Sequence, residues 1–150
     1  MTRNDRGQRR NVAAIGMALV LLATAGAAAP ARAADGKIGV ELNKVEDQAG
    51  GCRLYFVLDN ATPAAFEIYK LDLVMFGTDG VIARRLAVEV GPLRPTKTSV
   101  KLFDVGGLPC AGIRTVLVND VLSCKVGADE RPNCIDLVAV ASRAKIALTK

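Results

Sequence analysis

The sequence predicts an all-β fold, a sandwich of seven antiparallel strands in residues 34–150, behind an N-terminal export segment in residues 1–33. Three observations lead to it. Beyond residue 33 apolar and polar residues alternate with a period of two, turn residues interrupt the alternation at short intervals, and no long stretch repeats at the helical period. The 150 residues suffice for one domain, and with half of them apolar, 14 Gly and 6 Pro, neither disorder nor a repeat array fits.

The opening segment reads as an address. Arg3, Arg6, Arg9 and Arg10 precede a charge-free apolar run, and Ala31-Arg32-Ala33 has the small-x-small pattern of a signal-peptidase site. Cleavage is expected after Ala33, with Ala34 the near alternative. The run is rich in Ala and Gly and is interrupted by Pro30, which is weak for a permanent span. The membrane is therefore expected to be met only through the signal before cleavage, ahead of the rival reading of an uncleaved anchor. Arg9-Arg10 is twin-arginine-like, while Gln8 and Val12 depart from that pattern, so Sec export stays open. Removing residues 1–33 takes away five basic residues and one acid, so the formal net charge falls from +5 to +1.

The strands follow in order. Segment 38–45 sets Ile38, Val40 and Leu42 against Gly39, Glu41 and Asn43, and ends at the Gly50-Gly51 turn. Segment 52–59 sets Leu54, Phe56 and Leu58 inward, and Asn60-Ala61-Thr62-Pro63 breaks it. Segment 66–76 turns Tyr69, Leu71, Leu73 and Met75 inward with Lys70 and Asp72 outward, and Asp79-Gly80 is a hairpin signal leading to segment 81–90. There Arg84 interrupts the inward set, which places the strand near an edge. Segment 96–105 puts Thr98, Val100 and Leu102 opposite Lys97, Ser99 and Lys101, the latter face being expected in solvent. Segment 113–124 is apolar on both faces at Val116-Leu117-Val118, as for a central strand covered on both sides. Segment 137–148 is the seventh, with Val138, Val140, Ile146 and Leu148 in one register. This pattern suits an immunoglobulin/fibronectin III-like sandwich, with a small closed barrel as the alternative. The Cys-Trp-Cys core of antibody domains is missing, so the likeness is one of architecture.

Cys52, Cys110, Cys124 and Cys134 all follow the signal, and an even count after an export signal reads as two disulfides. Strands that alternate in direction bring Cys52 and Cys110 to one end and Cys124 and Cys134 to the other, so those pairs are expected. The tightest pair has nine residues between its members and no His accompanies it, which disfavours zinc. No metal or other cofactor is expected.

The composition also narrows the chemistry. Without His, Ser-His-Asp and Cys-His arrangements cannot form, and no P-loop or G-x-G-x-x-G is present. Ser99 with Lys101, and the acid pairs Glu46-Asp47 and Asp129-Glu130, read as solvated polar surface. Arg84-Arg85 could meet an anionic partner, but few aromatics and a near-neutral mature chain argue against nucleic acid. Asn60-Ala61-Thr62 matches a glycosylation acceptor and reads as a loop. Asn119 and Asp120 interrupt the most apolar strand, and such a pair marks a hydrogen-bonded network, a bulge or, as the lesser alternative, a binding site.

The Arg-Arg signal, Gly50-Gly51-Cys52-Arg53, Leu71-Asp72-Leu73-Val74, Leu93-Arg94-Pro95-x-Lys97, Val100-Lys101-Leu102-Phe103-Asp104 and Val116-Leu117-Val118-Asn119-Asp120-Val121-Leu122-x-Cys124 resemble small exported alphaproteobacterial proteins labelled "Tat pathway signal sequence domain protein". The resemblance implies a periplasmic location and carries no activity. The expected function is therefore a non-enzymatic module that binds a periplasmic protein or envelope component. A small-ligand or polysaccharide carrier is the alternative, and a hydrolase without His the third reading.

Overall fold

The computed structural model describes residues 36–150, and Arg9, Arg10, Ala31 and Ala33 lie outside them. The chain forms two sheets from β1 (Ile38–Gln48), β2 (Gly51–Asn60), β3 (Ile68–Gly77), β4 (Ile82–Glu89), β5 (Lys97–Gly106), β6 (Ile113–Val126), β7 (Asp129–Glu130), β8 (Val138–Ser142) and β9 (Ala147–Thr149). One sheet has the order β5-β2-β1-β8, and the other β4-β3-β6-β7 with β9 also paired to β6. Short 3-10 turns at Cys110–Gly112 and Cys134–Leu137 precede β6 and β8.

Strand β2 has the most regular pattern, its residues alternating half-buried and buried from Gly51 to Asn60. The turn before it depends on glycine, because a Cβ at Gly51 would run into the Val105 carbonyl of β5. At the β3–β4 hairpin Gly80 has φ 80°, a left-handed conformation that glycine adopts without a steric penalty. The core is built from the inward rows of both sheets, with Leu42, Leu54, Phe56, Leu58, Tyr69, Leu71, Leu73 and Met75 all buried. Tyr69 meets Phe66 edge to face at 5.3 Å, and its hydroxyl donates to the Cys134 carbonyl at 3.0 Å.

Three expectations need correction. The seventh strand divides into β8 and β9, one in each sheet, because the chain crosses over at 142–147, where the Ser142 hydroxyl donates to the Ile146 carbonyl at 2.6 Å. Both halves still point inward, Val138 and Leu148 being buried. The sheets are also mixed, since β8 runs parallel to β1 and β9 parallel to β6. Seven segments that alternate in direction leave the first and last pointing the same way, so they can pair only in parallel. Finally, Leu117 on β6 is half-buried, so the outward face of this strand is only partly covered. Asp129 and Glu130 are exposed, in keeping with a polar surface, and form the short β7, paired with the end of β6.

The cysteines form Cys52–Cys110 and Cys124–Cys134, the pairs that strand alternation predicts. The first ties the start of β2 to the turn entering β6 and so joins the sheets. Closing loops of 58 and 10 residues stabilises by about 4 and about 3 kcal/mol in the chain-entropy account. Urea denaturation of the double alanine variants should give losses in that order. A larger loss from the shorter link would contradict loop closure as the source.

Candidate functional site

Asn119 and Asp120 sit where β6 departs from regular pairing with β3. The register steps from Asp120 to Val118 across one residue of β3, leaving Asn119 as the extra residue of a bulge, and a second step skips Leu122. The bulge lets the Asn119 amide reach Asp72 Oδ2 at 2.7 Å. Arg85 of β4 grips the same carboxylate through Nε and Nη2, each at 2.8 Å. Asp72 lies on the outer face, yet its side chain is 2 % exposed beneath an Arg85 side chain that is 64 % exposed. The Arg85 hydrogen bonds hold its carboxyl below the usual carboxylate range, outweighing the opposing effect of burial, with help from Asn119. A carboxylate so occupied clamps β3, β4 and β6 together, with three hydrogen bonds on its two oxygens. Asp120 takes no part; its Oδ1 accepts from the Val121 N–H at 2.7 Å.

The acid pairs are likewise employed in structure. Glu46 accepts from Lys44, Gln48 and the Tyr55 hydroxyl, while Asp47 Oδ1 accepts the Cys110 N–H at 3.0 Å and so secures the turn carrying the first disulfide. Glu130 accepts the Cys124 N–H at 2.9 Å and lies 3.8 Å from Lys125. Among the described residues no group of three acids or cysteines is arranged to hold a metal.

The open features gather on the side of the sandwich bounded by β4 and β5, which end their respective sheets. Here the expected phase of β5 is reversed. Lys101 lies opposite Phe56, Ser99 opposite Leu58 and Phe103 opposite Leu54, so these β5 residues share the inward face of β2. Val100 and Leu102 point outward instead, 55 % and 48 % exposed, opposite Val57 and Tyr55. The phase of β5 is inherited from β2, and its own alternation fits either assignment. Arg84 does lie in the inward register of an edge strand, opposite Met75. Two cations thus bridge the gap between the sheet edges: Arg84 donates to the Gly106 carbonyl at 2.9 Å and Lys101 to the Gly91 carbonyl at 2.8 Å.

At the mouth of this seam is a pocket of about 320 Å³ lined by Pro92, Arg94, Lys97, Ser99, Val100 and Lys101. Asn60 fixes its rim. Its amide is shared among the Ala64, Leu93 and Arg94 carbonyls at 2.8 to 3.2 Å, and its Oδ1 accepts from the Thr62 N–H and hydroxyl. Asn60 is wholly buried at the end of β2, so the N-x-T tripeptide is a structural hub and not an exposed acceptor. The only local signal for this was that Asn60 continues the inward row of β2.

No protein-family model, curated protein or solved structure matches the chain.

Asp72 generates a pH prediction. Its folded-state pKa is depressed, so the clamp contributes fully above the unfolded value of about 3.9 and is lost as pH falls through the folded value. Asp72→Asn should flatten stability against pH between about pH 5 and pH 2 in a urea series; an unchanged slope would place the acid sensitivity elsewhere. Asn60→Ala removes five hydrogen bonds at the buried end of β2 and should lose about 3 kcal/mol by the same method.

Proposed function

We propose that the protein is exported and works as a non-enzymatic interaction module, binding an extended segment of a periplasmic protein along the free edge of β5. Export is supported by the arginine-rich start, the apolar run and Ala31-Arg32-Ala33, and disulfides are typical of proteins from oxidising compartments. The twin-arginine-like pair Arg9-Arg10 favours translocation in the folded state. An immunoglobulin/fibronectin III-like architecture is favoured by connections that change sheet between β2 and β3, between β4 and β5, and between β5 and β6. A non-enzymatic role is supported by a sequence without His and by the engagement of Asp72, Glu46 and Asp47 in holding the fold.

One observation carries the docking edge. Strand β5 is ten residues long, has no neighbour beyond it among the described residues, and exposes Val100 and Leu102 on its outward face. An edge of this kind offers backbone donors and acceptors to an added strand and side-chain contacts at alternate positions. The inward Lys97 and Lys101 discriminate among occupants. They disfavour apolar strands and second copies of β5, which would face them with uncompensated or like charge, and favour a segment bearing acids at alternate positions.

A photo-crosslinking residue at position 100 in cells should give one discrete adduct that Leu102→Lys abolishes, while the same residue at position 147 on β9 gives none. No adduct from position 100, or one indifferent to Leu102→Lys, would overturn the reading.

A further inference from the structure

The pocket at the mouth of the β4–β5 seam has chemistry that an added strand does not require. Arg94, Lys97 and Lys101 converge on it, and none of the three has a carboxylate partner among the described residues, whereas Lys44, Arg53, Arg85, Lys125 and Arg143 each have one. Three unopposed positive charges in one place are a large local excess for a chain whose net charge without its first 33 residues is +1. Lys101 gives one hydrogen bond to the Gly91 carbonyl, and an ammonium carries three donors. Ser99 lines the same pocket, and its Oγ is shielded from solvent without a hydrogen-bond partner, an unmet capacity that rotation about χ1 would present to a ligand.

From these observations we propose that the pocket binds a phosphate group carried on a small organic body. A tetrahedral dianion has enough acceptor oxygens for two ammonium groups, a hydroxyl and a guanidinium, and a guanidinium fork matches two oxygens of one phosphate. The volume of about 320 Å³ exceeds what a bare phosphate fills and lies in the range of small-molecule sites. Pro92 and Val100 give the pocket an apolar wall for the rest of the ligand. The site is held in shape without ligand. Asn60 grips the Leu93 and Arg94 carbonyls, Phe66 and Leu93 exchange backbone hydrogen bonds at 2.9 and 2.8 Å, and Lys101 secures Gly91. A strand added to β5 would meet the same Lys97, Val100 and Lys101, so the two occupants compete; a titration made without a docked segment has an outcome that does not depend on whether β5 binds one.

The test is a titration of the full mature protein with glycerol 3-phosphate at constant ionic strength, followed by amide NMR shifts. Shifts should saturate and centre on residues 92–101. Arg94→Ala and Lys97→Ala, both on exposed residues, should each weaken binding about tenfold. Ser99→Ala leaves charge unchanged and should weaken binding severalfold while leaving the free protein at least as stable to heat. Sodium sulfate at equal ionic strength should bind more weakly. Two further arms identify the source of the phosphate: inorganic phosphate tests the free ion, and vesicles of phosphatidylglycerol in phosphatidylcholine test a lipid headgroup, with binding in either arm lost in Arg94→Ala. Shifts spread equally over Lys70, Lys145 and the pocket, equal response to sulfate, or indifference to Ser99→Ala would overturn the proposal.

Discussion

The inward row of β2 is the constraint on which the other elements depend. Cys52, Leu54, Phe56, Leu58 and Asn60 form one uninterrupted file of buried side chains, every second residue for the length of the strand. A covalent link terminates it at one end, and a buried carboxamide with five hydrogen bonds terminates it at the other. Because a one-residue slip would turn every member of the file to solvent, β2 has only one tolerable register. Strand β1 accommodates to it by a bulge at Asn43, which lets both Leu42 and Val45 face the core. Strand β5 accommodates by placing lysines inside and valine and leucine outside.

The two lateral sides of the sandwich are closed by different means. On one side β8 and β9 are successive halves of a single segment, so the backbone itself passes from sheet to sheet. On the other side no strand crosses among the described residues, and Arg84 and Lys101 span the gap with hydrogen bonds to carbonyls. Cations pointing inward from edge strands also disfavour edge-to-edge aggregation. The same arrangement leaves Arg94, Lys97 and Lys101 close together with a groove between them, so protection of an edge and an unopposed positive patch have one structural origin.

Much of the architecture was legible in local pattern. The first three strands could be placed because apolar and polar residues alternate along them, the fourth from the hairpin signal before it, and the sixth because it is apolar on both faces, and the cysteine pairs followed from counting reversals of direction. What could not be read locally was anything set by a neighbour. Thr98, Val100 and Leu102 alternate as well as Ser99, Lys101 and Phe103 do, and only pairing with β2 decides between them. Asp72 looked like an ordinary outward residue because its burial comes from Arg85 and Asn119, which are 13 and 47 residues away. Asn119 was conspicuous for the opposite reason, as a polar residue in the most apolar strand, and the bulge there is the physical expression of that conflict. The seam pocket left no motif, since its cations come from a turn and one strand in an order that resembles ordinary surface.

The parallel pairing of β1 with β8 also sets the order in which the fold can be completed. Ile38 is matched to Val138, and the Ser142 hydroxyl contacts the Leu42 carbonyl across 100 residues of sequence. Contacts of such separation form late, because the intervening loop must first be closed by other structure. Until residue 142 is present, β1 has β2 on one side and nothing on the other. A chain threaded through a membrane in extended form would deliver β1 first and its second neighbour last, with an open edge throughout the passage. A chain that folds before it travels would have no such edge to protect.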